Sequence, residues 1–99
     1  MLTDKMKKIL LDNGFKYHPE QHVDFECDPM LTEPRFDKPF PRYDNRYEEV
    51  MPYHLNIYDC GYFQVTSPYG SAETDLSFDR IEDMNDLGIV LKHILNIGI

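Results

Sequence analysis

Numbered outward from Cys60, the residues match in pairs: Tyr58 with Tyr62, Ile57 with Phe63, Asn56 with Gln64, Leu55 with Val65. Each pair sets apolar against apolar or polar against polar. This period of two, closed by the loop Asp59-Cys60-Gly61, predicts an antiparallel hairpin in which Gly61 supplies the left-handed residue that such a loop requires. A second hairpin is expected from Phe15 to Cys27, with Phe15 opposite Phe25, Lys16 opposite Asp24, Tyr17 opposite Val23 and His18 opposite His22. After the turn Ser67-Pro68-Tyr69-Gly70, a further strand is expected over Thr74 to Phe78, setting Leu76 beside Val65 and Phe78 beside Phe63.

Helical spacing replaces alternation at both ends of the chain. Leu2, Met6, Ile9 and Leu10 form one stripe, Thr3 is placed to cap it and Asn13-Gly14 to close it, which predicts a helix from about Asp4 to Asn13. Asp83 is placed to cap a second helix with the stripe Met84, Leu87, Leu91, Ile94 and Leu95. Gly88 beside that stripe suggests close approach to another backbone. Ile89, Val90 and Ile97 fall on its far side, where they would pack on the first helix or join two copies of the chain. The fold class these elements predict is α+β: an N-terminal helix, a predominantly antiparallel sheet of about five strands, and a C-terminal helix on the same sheet face, in a single domain over residues 1–99.

Residues 28–46 break both periods. Four prolines interrupt the segment, which carries Arg35, Lys38, Arg42 and Arg46 among Phe36, Phe40 and Tyr43. One reading is a proline-stiffened arm covering a sheet edge. The other is a recognition loop, because arginine and aromatic side chains anchor interfaces; Arg35, Phe36, Phe40, Arg42 and Tyr43 are its contact residues.

Charge then narrows the class of partner. Eighteen acidic against ten basic residues give a formal charge of -8, which disfavours direct contact with nucleic acid or anionic membrane and favours a basic protein. No run of apolar residues reaches membrane-spanning length, and Cys27 and Cys60 have neither metal-site spacing nor the density of a disulfide scaffold, so a reduced, cytoplasmic protein is expected.

Candidate chemistry is sparse. Catalytic serine and cysteine motifs are missing, the glycines are not arranged to cradle phosphate, and no cofactor is expected. His18 and His22 could converge across the predicted hairpin with Asp24 diagonal to them, as a weak metal centre or the core of a small metal-dependent enzyme, although two solvated histidines beside a turn account for the same residues. The distribution of carboxylates says more. Between Asp59 and Asp86 lie seven acidic residues and the single cation Arg80. Asp75 and Asp79 are expected on a sheet face with Tyr58 and Tyr62, and Glu82, Asp83 and Asp86 at the helix start beside it. Such a field steers a basic partner over about the Debye length, roughly 8 Å, while a plain solubilising surface is the rival account.

The function expected is therefore that of a small, acidic, non-enzymatic binding protein. It would occupy the basic surface of a nuclease or DNA-binding protein through Tyr58, Tyr62, Asp75, Asp79, Glu82, Asp83 and Asp86. Inhibitors from phages and mobile elements that imitate DNA, including anti-restriction and anti-CRISPR proteins, have this general size and charge; the likeness is of composition alone. A toxin-neutralising immunity protein would carry the same charge pattern.

Overall fold

A computed structural model of the chain describes residues 1–19 and 34–99. Helix α1 (Asp4–Asp12) leads to strands β1 (Lys16–His18), β2 (Arg35–Asp44), β3 (Glu49–Tyr58), β4 (Phe63–Ser67) and β5 (Gly70–Ala72), then to α2 (Met84–Val90), which continues as a π-helical turn, Leu91–Leu95. The strands form one antiparallel sheet in chain order, so every connection within it joins neighbours. The fold is α+β, with an N-terminal helix, a five-stranded antiparallel sheet and a C-terminal helix.

The central hairpin has the register that its alternation predicts, with Leu55 opposite Val65, Asn56 opposite Gln64 and Ile57 opposite Phe63. Tyr58 N donates to the Tyr62 carbonyl at 2.8 Å, and Gly61 turns the chain at φ +99°. A Cβ on Gly61 would strike the Ile81 carbonyl, so the position requires glycine twice over.

One face of the sheet builds the core. Met51, Tyr53, Leu55 and Ile57 of β3, Phe63 and Val65 of β4, and Phe36 of β2 are buried with Leu2, Met6 and Leu10 of the first helix and Leu87, Val90 and Leu91 of the last. The Thr3 hydroxyl accepts from Met6 N at 3.2 Å and caps α1 as expected. At its other end the Asn13 carbonyl accepts from Lys38 Nζ at 2.9 Å, which ties the helix to β2.

Four expectations are corrected. Residues 35–44, expected in an arm or loop, form the ten-residue strand β2, paired with β3 along its whole length. Proline is tolerated there because of direction. Tyr58 N bonds towards β4 and Asp59 N bonds the Pro34 carbonyl at 3.0 Å, so amides alternate along the ladder and those of Pro39 and Pro41 would point away from β3. Among the described residues β1 reaches only Asp37, leaving no acceptor beyond it on that edge for an N–H to miss.

The strand expected over Thr74 to Phe78 is not formed; β5 ends at Ala72. A continued ladder would bring Asp75 to Tyr62, whereas Arg80 is the residue bridged there, so five additional residues leave the sheet as a loop. Leu76 and Phe78 still turn inward, and the Phe78 ring meets Phe63 edge-on with centroids 5.6 Å apart. Val90, expected on the far side of α2, is completely buried, while Ile89 stays exposed. Among the described residues a Cβ on Gly88 would meet only the Ile99 side chain, at an ordinary 3.8 Å, and no backbone approaches it closely.

For the hairpin expected between Phe15 and Cys27, the described half, β1, pairs with Arg35–Asp37 of β2; Val23, Phe25 and the rest of its second half lie outside the described residues.

Candidate functional site: an acidic ridge and its surroundings

The acidic segment leaves β5 and runs to α2 as a loop with bends at Asp75, Ser77 and Asp79. Exposure alternates along it: Glu73, Asp75, Ser77 and Asp79 face solvent, while Thr74, Leu76 and Phe78 are half-buried. The segment is pinned at its far end, where Phe63 N donates to the Asp79 carbonyl at 3.1 Å and Ile81 N to the Gly61 carbonyl at 2.7 Å. The hydrophobic effect thus sorts its side chains as a strand would, without the ladder.

At the start of α2 the carboxylates hold each other's backbone. Asp83 Oδ1 accepts from Asp86 N at 2.8 Å, and Asp86 Oδ2 accepts from Glu82 N at 3.0 Å. Both lie where the helix's positive end favours anionic side chains. Among the described residues, none of Glu73, Asp75, Asp79, Glu82, Asp83 and Asp86 forms an ion pair.

The tyrosines expected beside this ridge divide. Their rings are 5.8 Å apart, but Tyr58 is only 2% exposed and Tyr62 is half-buried. Tyr58 is therefore corrected from a surface anchor to a buried side chain, since alternation fixes the face a residue occupies and not what covers it. Asp79 and Ser77 share a cleft with Tyr62 and Gln64, whereas Asp75 lines a different cleft with Arg42 and His93. The loop that replaces the expected strand separates the two aspartates.

The second expected interface is also divided. Phe36 is buried and Phe40 packs against the core, so neither presents a ring to a partner; both occupy inward positions of β2. Arg35 is half-buried, Arg42 lies 5.4 Å from the Tyr53 ring centroid, and Tyr43 is 58% exposed. The tip of the β2–β3 hairpin is organised by a residue that sequence reasoning missed, Asp44. Its buried carboxylate accepts from the Tyr53 hydroxyl at 2.6 Å, from Arg46 Nη2 at 3.2 Å and from Arg46 N at 2.9 Å. The Arg46 hydrogen bond, followed by that from Tyr53, holds the Asp44 pKa down at about 2. The same bond to Asp44, helped by burial, pushes the Tyr53 hydroxyl upward.

His22 and Asp24 of the expected metal set lie outside the described residues. His18 instead approaches Asp37, its Nε2 3.6 Å from Oδ2, and His54 Nδ1 lies 2.9 Å from Oδ1 of the same carboxylate. Among the described residues no group of three His, Cys, Asp or Glu side chains is arranged to hold a metal ion, and no helix is long and apolar enough to cross a membrane. No protein-family model, characterised protein or solved structure matches the chain.

Proposed function

We propose that the protein is a small acidic binding protein, not an enzyme, that occupies a basic surface of a partner protein such as a nuclease or DNA-binding protein. The observation that carries the reading is the set of six carboxylates from Glu73 to Asp86, five exposed and Asp86 half-buried, unneutralised by any ion pair among the described residues. A charge that the fold leaves unpaired contributes little to stability and remains available to steer and orient a cationic surface. Tyr62, half-buried beside Asp79, is the aromatic contact on this ridge.

The test is capture of a partner from the native host by the wild-type chain and by a D75N/D79N/D83N variant. Asparagine caps a helix as well as aspartate does, so the variant keeps its fold while losing charge. The reading requires a basic partner retained by the wild type and released by the variant at lower salt. Retention by both chains at the same salt overturns it.

A further inference from the structure

The sheet face turned away from the core carries a second group of polar side chains, set in rows by the strand register. His18, Arg35, Tyr58 and Tyr62 form one row; Lys16, Asp37, Asn56 and Gln64 the next; Pro39, His54, Thr66 and Ser71 the third. Arg35, Asp37, His54, Asn56, Gln64 and Thr66 line a cavity of about 300 Å³, near the lower limit for small-molecule sites.

Charge within this cavity is unevenly committed. Asp37, with 17% of its side chain exposed, meets His54 Nδ1 at 2.9 Å on one oxygen and has His18 Nε2 nearby, 3.6 Å from the other. Arg35, two residues away on the same strand face, has no carboxylate or hydrogen-bond partner for its guanidinium among the described residues. A half-buried guanidinium with five unmet donors attracts an oxyanion, and its planar fork matches phosphate oxygens.

Neutral donors stand across the cavity from it. Asn56 Nδ2 donates to Thr66 Oγ1 at 3.3 Å, which leaves the threonine proton free to donate in turn; Gln64 Nε2 donates to Ser71 Oγ at 2.7 Å and retains a second N–H. The His18 Nε2 atom is sealed from solvent 3.6 Å from Asp37 Oδ2 and stands behind the cavity wall, outside its lining.

We propose that this cavity binds a phosphate group, either free or as the monoester of a small organic molecule. Arg35 clamps the anion, Thr66 and Gln64 donate to it, and Asp37 is a positioning residue that holds the His54 imidazole in the cavity wall. The net charge of -8 opposes any anion at long range, so affinity comes from these local donors. The inference is independent of the acidic ridge.

The experiment is titration of the full chain with inorganic phosphate, phenyl phosphate and sulfate, followed by amide and imidazole NMR signals. Saturable shifts of Arg35, His54, Gln64 and Thr66 are expected with phosphate, the ester or both, which distinguishes the two sources. R35Q should weaken binding at least tenfold, R35K less, with amide dispersion confirming that each variant is folded. K8Q, on the exposed side of α1, should leave the affinity unchanged, and the ridge is read separately by partner capture, so that failure here and failure of the ridge are distinguishable. Shifts that do not saturate, that fall only on the lysines of α1, that are as strong with sulfate alone, or that persist unweakened in R35Q would overturn the proposal.

Discussion

Asp44 and Asp79 carry the same functional group in opposite circumstances. Asp44 is 5% exposed at the β2–β3 tip, with Tyr53 and Arg46 donating to its oxygens. Asp79 is exposed on the ridge, and its side chain has no ion-pair partner among the described residues. Burial makes the first carboxylate costly to disturb, because the buried Tyr53 hydroxyl would lose its acceptor, while Arg46, 67% exposed, would turn to water. The second can be neutralised with little effect on folding. What separates a structural from an available carboxylate here is the number of donors aimed at it; charge itself is common to both.

The largest effect is expected where the ridge is fastened to the sheet. Gly61→Ala places a Cβ against the Ile81 carbonyl at a positive φ and should cost about 2 kcal/mol or more in chemical denaturation. A near-neutral outcome would mean that the ridge is not pinned there.

Asp44 comes next, and pH reveals its sign. Its folded pKa is depressed, so its contribution is complete above the ordinary value of 3.8 and is lost as pH falls from there through about 2. Denaturant midpoints should therefore drop over that window in the wild type. D44N should be less stable at neutral pH and flatter across the same window. Equal slopes would remove Asp44 from its structural role.

Asp83 offers the comparison within one residue. Asp83→Ala discards the acceptor for Asp86 N and should cost about 1 kcal/mol, whereas Asp83→Asn retains a cap and should cost little. Equal losses in the two variants would show that charge, and not the hydrogen bond, supports the helix start.

What could be read in the sequence follows from the range of each signal. The Leu55–Val65 hairpin and the first helix were legible because alternation, Gly61 and Thr3 are all local. β2 was not, because Pro39 and Pro41 look like breakers until the register shows that their missing amides point away from β3. Phe36 and Phe40, four residues apart with Arg35, Asp37 and Pro39 at odd positions, held the strand period that could have revealed it. The ridge was overread in the other direction: Leu76 and Phe78 alternate inward, but alternation does not make a ladder. Asp37 drew no notice because its partners, His18 and His54, reach it only through strand pairing.

The central claim is that the carboxylates of residues 73–86, although Asp75 and Asp79 line different clefts, together engage a cationic partner. NMR titration of the wild type with a short oligo-arginine peptide at low and at physiological salt tests it most directly. The account predicts salt-sensitive shifts concentrated on Asp75, Asp79, Glu82, Asp83 and Asp86 and on Tyr62. Shifts spread equally over Asp4, Asp12, Glu48 and Glu49 would contradict it, leaving the acidic residues as a solubilising coat.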